Sequence, residues 1–182
     1  MQLLPELLDG HGHRLCGDEE LVPDAAESVA DYYQFGRIDT PVIEEASLFV
    51  RGVGKGTDIV DKEMYVFEDR DGTKLALRPE GSAGVVRAFI SNGMWNLPQP
   101  IKVWYYESMF RHDRPQAGRY REHHQVGFEN FGVKDPAIDA ELIIAAYSIF
   151  HDMELPVEIR LNSVGTPAER ARYIEELTSY YR

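Results

Sequence analysis

Apolar residues recur every three or four positions in three stretches of the chain, which is the period of an amphipathic helix. The stretches are Asp24–Phe35, Ser82–Asn92 and Pro136–Met153. The first stops at Gly36, as many helices do, and is predicted to lie at the surface, whereas the third should cover a sheet. A fourth helix should begin after Thr166, where Thr-Pro-Ala-Glu forms a capping box with proline at the first helical position.

Shorter extended runs lie between the helical stretches. Glu63–Phe67 and Thr73–Leu77 flank an Asp-Gly turn and predict a hairpin. Two aromatic-rich runs, Ile101–Phe110 and His123–Phe131, predict a pair of long antiparallel strands. Val157–Leu161 alternates like a further strand.

The segment Ile38–Ile43 is expected to be extended, because Pro41 disfavours helix before it and cannot donate to a central ladder. It suits an edge strand or an interface. With strands mostly in hairpins and helices set against them, the chain is predicted to be one α+β domain, an antiparallel β-sheet flanked by helices, over residues 1–182.

Composition excludes several classes of protein. The 182 residues are 43% hydrophobic and 27% charged, an ordinary globular balance. The longest strongly apolar run, Leu142–Phe150, is far shorter than the roughly 18 to 20 residues that span a bilayer. No export leader is visible, and one cysteine, Cys16, fits a reducing compartment. We therefore expect a cytoplasmic protein without membrane contact.

The net charge of −12 argues against general nucleic-acid coating, so an anionic ligand would have to be held locally. Arg111–Arg121 contains four arginines and one acid, Asp113, a net charge of +3. The loop is either a solvated basic loop or a grip on phosphates.

The predicted strand His123–Phe131 has one polar face. Because side chains alternate along a strand, Gln125, Gly127 and Glu129 share a side. Gly127 would leave space for a ligand, and the two polar groups could reach opposite ends of a small amphoteric molecule. The other interpretation is a strand with one solvated face.

The segment Arg78–Ser82 joins a strand to a helix start, with Ser82 as the expected N-cap. Glu80 could pair with a ligand ammonium there, or the segment could be an ordinary helix cap.

Other candidate signals are weaker. Gly52–Thr57 lacks the Ser or Thr after lysine that a phosphate loop needs, so it is interpreted as a flexible loop. His11, His13 and Cys16 lack a fourth metal ligand at a recognised spacing, so no metal site is predicted. The adjacent pair His123 and His124 must point to opposite sides of a strand and cannot chelate together.

Several ordered segments resemble the catalytic domain of the histidyl-tRNA synthetase family of class II aminoacyl-tRNA synthetases, from about Asp24 to Tyr173. The most specific is Met109–Arg121 followed by Gln125 and Glu129, which is similar to the family's second motif. The remaining similar segments are Thr40–Pro41, Thr57–Tyr65, Leu77–Ala83, Asp139–Ile143 and Leu161–Gly165.

The resemblance implies an enzyme that activates L-histidine with ATP, magnesium being expected alongside, and transfers it to tRNA(His). The implied histidine-binding residues are Glu80, Gly81, Ser82, Arg111, Gln125 and Glu129, with Glu129 receiving the imidazole. The implied ATP-binding residues are Arg111, Asp113, Arg119 and His123. Arg111 would be catalytic, bridging the substrate carboxylate and the α-phosphate. A homodimer with the Pro41 region near its interface is also implied.

Two residues depart from the family pattern: Asp113 stands where glutamate is usual, and His123 replaces a usual phenylalanine. Gly10–Glu20 carries no assignment. The family's third motif, its Arg-Gly-Leu-Asp-Tyr-Tyr stretch and its anticodon-binding domain find no match in residues 1–182, which are therefore interpreted as a truncated catalytic domain.

Two other functions stay open. The chain could be a non-catalytic paralogue that senses histidine, of the kind that regulates ATP phosphoribosyltransferase, or a dimerisation module without a ligand. The arginines of the 111–121 loop favour the synthetase, since a histidine sensor has less need of phosphate contacts.

Overall fold

The computed structural model describes residues 18–54, 57, 59–114, 117, 119–162 and 165–181. His11, His13 and Cys16 lie outside these residues, as does Lys55 of the glycine-rich loop. The α-helices of the described part are α1 (Asp18–Tyr32), α2 (Ala46–Gly52), α3 (Ser82–Ser91), α4 (Pro136–Asp152) and α5 (Pro167–Tyr180). The strands are β1 (Gly36–Arg37), β2 (Ile43–Glu45), β3 (Val66–Glu68), β4 (Lys74–Leu77), β5 (Ile101–Phe110) and β6 (Glu122–Phe131).

The strands form two three-stranded sheets, and most of their pairing is antiparallel. In the larger sheet, β5 lies between β6, its antiparallel partner, and the short parallel strand β1. In the smaller sheet, β4 lies between β2 and β3 and is antiparallel to both. The predicted hairpin is confirmed, with Val66 opposite Ala76 and Gly72 at φ 87° in its turn. The predicted α+β class with an antiparallel sheet is also confirmed.

Helices α1 and α4 cover one face of the larger sheet. Ala26 of α1 and Ala145 and Ile149 of α4 are fully buried against Trp104 and Val126 of the two long strands. Small alanines let the helices approach each other closely, while the larger side chains fill the space above the sheet. The prediction that the 136–153 helix covers a sheet is therefore confirmed.

The first helix differs from its prediction in where it begins. It begins at Asp18 rather than Asp24 and contains Pro23. It is a surface helix as predicted, because Val22 and Val29 lie in the core while Asp24, Glu27 and Asp31 are exposed. Burying Val22 favours the longer helix, and this gain outweighs the one backbone donor that Pro23 lacks.

Residues 157–161, all within the described part of the chain, form no strand, so that prediction was wrong. These residues pair with no strand of the described part of the chain, and Leu161 stays 75% exposed. The helix that follows has the predicted capping box, with Thr166 Oγ1 accepting from Glu169 N.

The segment that contains Pro41 connects the two sheets. Ile38 N donates to Trp104 O at 2.9 Å beside the larger sheet, whereas β2 begins only at Ile43 in the smaller one. The predicted extended segment thus divides between two strand ends.

A buried ion pair fixes this connection. Arg78 Nη1 lies 2.8 Å from Glu107 Oε2, and both side chains are more than nine-tenths buried. The Glu107 carboxylate also accepts from Thr40 N and from Thr40 Oγ1, at 2.5 and 2.9 Å. Arg78 in turn donates to Thr40 O and Ser108 O, each at 2.7 Å. Each charge is therefore satisfied by hydrogen bonds as well as by its partner, which a buried pair requires.

The substitution Glu107→Gln should destabilise the chain by about 3 kcal/mol, because it leaves the Arg78 charge buried without a counter-charge. Urea unfolding measures the change in the free energy of unfolding. The matched control is Glu176→Gln, which breaks the exposed pair of Glu176 with Arg172 and should cost less than about 0.5 kcal/mol. Equal effects of the two substitutions would contradict the structural role given to the buried pair.

Candidate functional site

The polar face predicted for the long strand exists and is directed toward α3. Gln125, Gly127 and Glu129 alternate along β6 with Val126 and Phe128, which pack on the α1–α4 side. The face is half-buried, which does not fit the alternative of a freely solvated strand. His123 and His124 lie on opposite faces as predicted, and His124 stacks on Tyr106 at 5.1 Å between ring centroids.

A tyrosine ring fills the space above Gly127 where a ligand had been expected. Tyr105 is paired with Gly127 across the two strands and is 1% exposed. A Cβ at Gly127 would lie 2.1 Å from the ring, and one at Gly81 would lie 2.3 Å from it. The ring thus packs between two backbones that only glycine can provide at these positions.

Helix α3 brings Glu80 and Ser82 to this ring. The Glu80 carboxylate accepts from Ser82 N at 2.8 Å and from Ala83 N at 2.9 Å. Glu80 therefore caps the helix, while Gly81 occupies the N-cap position that had been predicted for Ser82. The Ser82 hydroxyl is directed across the cleft instead, where it donates to Glu129 Oε1 at 2.5 Å.

The phenol of Tyr105 lies at the centre of these polar groups. Gln125 Nε2 donates to its oxygen at 3.1 Å. Burial raises the pKa of Tyr105 far above its ordinary value, and the nearby charge of Glu129 raises it further, so the phenol keeps its proton. Burial also raises the pKa of Glu129, with a hydrogen bond from Ser82 acting in the opposite direction and the charge of Glu80 reinforcing the rise.

Arg111 follows β5 directly and faces the same cluster. Its Nε donates to Pro79 O at 2.7 Å, which places the guanidinium beside the Glu80 turn. Its backbone N donates to Arg121 O at 2.8 Å and continues the hairpin. Burial lowers the pKa of His123, and the charge of Arg111 lowers it further, so a neutral imidazole lies beside the guanidinium.

The outer part of the arginine loop is more exposed. Arg119 Nη1 pairs with Asp113 Oδ2 at 3.1 Å, and Asp113 Oδ1 also accepts from Arg114 N at 2.7 Å. Pro115, Gln116 and Gly118 of this loop lie outside the described residues.

The structure thus connects most of the predicted site residues through direct contacts. Two groups result, one centred on Tyr105 and one on Arg111, and the 78–82 turn joins them. The first group contains Glu80, Gly81, Ser82, Gln125 and Glu129. The second contains Arg111 and His123. Asp113 and Arg119 are held together farther along the loop.

Sequence reasoning missed Tyr105. A known strand register would have identified it, but the predicted antiparallel pairing left the register open. The observed register places this tyrosine opposite Gly127.

Two open surface clefts, one beside Glu176 and Tyr180 and one beside Tyr147 and Leu155, lie apart from the cluster.

Chemically, the arrangement places carboxylates at one end and a guanidinium at the other. Glu80, Gln125 and Glu129 offer oxygen acceptors, while Arg111 offers donors with a fixed positive charge. A ligand with a cationic end and an anionic end would match this polarity.

No cluster of three or more potential metal ligands occurs among the described residues. Within that same part of the chain, no helix is long and apolar enough to cross a membrane.

The chain is similar to known proteins over most of its length. A sequence model of the family described as "Histidyl-tRNA synthetase" matches residues 19–167. A histidine–tRNA ligase of Desulforudis audaxviator is 53% identical over 177 residues, which cover 97% of this chain and 41% of that protein. The chain spans about two fifths of the length of the curated relatives it matches.

Two solved structures are similar to this fold. The apo histidyl-tRNA synthetase of S. aureus has a TM-score of 0.62 and 30% identity, over 83% of this chain and 39% of that one. An ATP phosphoribosyltransferase regulatory subunit/histidyl-tRNA synthetase from Bacillus halodurans C has a TM-score of 0.65 and 20% identity, over 86% of this chain and 39% of that one. At that identity the second likeness concerns the fold alone. The family match over residues 19–167 and the shared fold lead to one conclusion: the chain belongs to the histidyl-tRNA synthetase family.

Proposed function

We propose that this chain forms the part of a histidine–tRNA ligase that binds L-histidine and ATP and joins them as histidyl-adenylate. The observation that carries the proposal is the contact of the 78–82 turn with both Glu129, through Ser82, and Arg111, through Pro79 O. This turn places acceptors for an amino acid beside a guanidinium suited to phosphate. Family membership supports the choice of histidine as the amino acid.

Glu80, Gln125 and Ser82 would hold the ammonium group of histidine, with Gly81 allowing the close approach of the turn. Glu80 already accepts two backbone hydrogen bonds, yet an ionised carboxylate has about four acceptor sites and can take an ammonium as well. Glu129 Oε2 would accept a hydrogen bond from an N–H of the imidazole ring. A side chain without a ring N–H would leave this oxygen of the half-buried carboxylate without a partner, which opposes the binding of other amino acids.

Arg111 would stabilise the reacting groups. In the proposed step a histidine carboxylate oxygen forms a bond to the α-phosphorus of ATP, the bond from that phosphorus to the β-phosphate bridging oxygen breaks, and pyrophosphate leaves. Two anions must approach each other, so positive charge and positioning are needed rather than a protein nucleophile. A guanidinium can contact carboxylate and phosphate oxygens together without losing its proton.

The remaining ATP contacts would come from the hairpin end. His123, neutral because of its lowered pKa, would lie near the adenine with Asp113, and Arg119 would leave Asp113 to reach the distal phosphates. Magnesium would accompany ATP, but the described residues offer no ligand cluster for it, so no step of this mechanism is assigned to the ion.

The second half of the reaction, transfer of the histidyl group to tRNA(His), is part of the same proposal. A homodimer with the Pro41 segment near the interface and a cytoplasmic location are also proposed, by analogy with the family. Residues 1–182 would then act as a single catalytic-domain segment that carries the activation site.

Histidine-dependent exchange of labelled pyrophosphate into ATP separates this proposal from its alternatives. The proposed ligase activity predicts exchange that requires histidine. A regulatory paralogue would bind histidine in calorimetry without exchange, and a dimerisation module would do neither. Either of the last two results would contradict the proposal.

Arg111→Ala should lower the rate of histidine-dependent pyrophosphate exchange by about 100-fold or more, because it removes the positive charge closest to the reacting oxygens. The control is Arg70→Ala, which removes the same charge from the exposed hairpin turn and should leave the rate unchanged. The free energy of unfolding should change little in either variant. Near-normal exchange by Arg111→Ala would refute the catalytic assignment.

Glu129→Gln should raise the melting temperature of the ligand-free chain at pH 7 but leave it unchanged below about pH 4. Because burial raises the pKa of Glu129 in the folded chain, folding favours the protonated carboxyl. Its favourable contribution is fully present below the unfolded pKa and is lost as pH rises through the folded pKa. The neutral amide avoids this loss.

The same variant should bind histidine more weakly at pH 7, so stability and binding should change in opposite directions. Glu122→Gln is the control, since Glu122 lies on the same strand but is exposed, and it should change neither quantity. Thermal denaturation at the two pH values and calorimetry with histidine provide the measurements. A Glu129→Gln variant that is less stable at pH 7 would show that the ionised carboxylate serves the fold instead.

A further inference from the structure

Two hydrogen bonds hold the polar side chains of β6. Ser82 donates its hydroxyl proton to Glu129 Oε1 at 2.5 Å. The phenol oxygen of Tyr105 accepts from Gln125 Nε2 at 3.1 Å. One polar atom of Glu129 and one of Gln125 are therefore engaged within the protein.

These two hydrogen bonds determine which atoms remain for a ligand. With Nε2 of Gln125 committed to the phenol, the amide oxygen is the group left to accept a hydrogen bond. At the other end, Ser82 engages Oε1 of Glu129 and leaves Oε2 as an acceptor.

The position of the phenol is fixed by packing as well as by hydrogen bonds. The ring is 1% exposed and lies between Gly81 and Gly127, where a Cβ on either glycine would be within 2.3 Å of it. Because the ring cannot shift toward either backbone, its hydroxyl provides a fixed point for the flexible Gln125 side chain.

We propose that Tyr105 is a positioning residue of the histidine site, whose hydroxyl orients the Gln125 amide so that the amide oxygen faces the amino acid. The inference rests on the proposed histidine-binding function. It adds a residue that does not itself contact the ligand and acts through Gln125. Its loss should therefore affect histidine binding more than catalysis.

The test is Tyr105→Phe, which removes the hydroxyl and keeps the ring between the two glycines. The dissociation constant for histidine, measured by calorimetry, should rise about tenfold, since the Gln125 amide loses the partner that orients it. In pyrophosphate exchange the KM for histidine should rise in parallel, while kcat and the KM for ATP should change less than about twofold. A merely structural role would lower kcat and ATP binding as well.

The control is Tyr106→Phe, the same chemical change on the neighbouring residue, whose ring stacks on His124 on the opposite face of the sheet. It should leave the dissociation constant for histidine within about twofold of the unsubstituted chain. Equal losses in the two variants would overturn the proposal.

A ligand-free measurement separates this inference from the proposed function. Nitrogen-15 NMR can follow the side-chain amide of Gln125, whose Nε2 donates to the phenol. Removing the phenol should shift the Gln125 side-chain amide resonances, because the amide loses its acceptor. Tyr106→Phe should not move them.

If the unsubstituted chain binds no histidine, the proposed function fails, and the Gln125 amide resonances alone decide whether the hydrogen bond to the phenol exists. If the chain binds histidine but Tyr105→Phe binds it equally well, the positioning role fails while the proposed function stands. Unchanged Gln125 amide resonances in Tyr105→Phe would also overturn the inference.

Discussion

The packing of the Tyr105 ring between Gly81 and Gly127 is the constraint on which the site depends. It requires β5 and β6 to pair in one register, because a slip of one residue would place a side chain where the ring now lies. It also requires the 78–82 turn to approach the sheet closely, which the buried pair of Arg78 with Glu107 maintains. Core packing, strand register and the candidate site are therefore satisfied by the same few contacts.

An acidic chain can hold anionic ligands when its positive charge is local. The net charge is −12, yet the turn beside Glu80 brings the guanidinium of Arg111 within 2.7 Å of Pro79 O. Short-range donors in a partly buried cleft act more strongly than the average field of the whole surface. The carboxylate of Glu80, in the same turn, and that of Glu129, which Ser82 of this turn contacts, then provide the opposite polarity for the cationic end of an amino acid.

Much of the fold followed from local pattern. The long antiparallel strands, the Asp-Gly hairpin and the helix from Pro136 have strong periodicity and clear end signals, so the ends of each were predicted to within three residues. The start of α1 was missed because burial of Val22 outweighed the helix-breaking tendency of Pro23. The predicted strand at Val157–Leu161 failed because alternation says nothing about whether a partner edge is present.

The site was predictable in its residues but not in their connections. Alternation placed Gln125 and Glu129 on one face, and the family resemblance supplied Arg111 and Glu80. Neither could show that Ser82 leaves the cap position to Glu80 and Gly81 and contacts Glu129, since that choice depends on the distance across the cleft. Tyr105 was missed for a similar reason, because register and close packing are tertiary properties.

A crystal structure of the chain soaked with L-histidine tests the central claim most directly. The account predicts the ligand ammonium within about 3 Å of Glu80 and of the Gln125 amide oxygen, a ring nitrogen at Glu129, and the carboxylate directed toward Arg111. Histidine bound elsewhere, or bound with its carboxylate directed toward Glu129, would contradict the account.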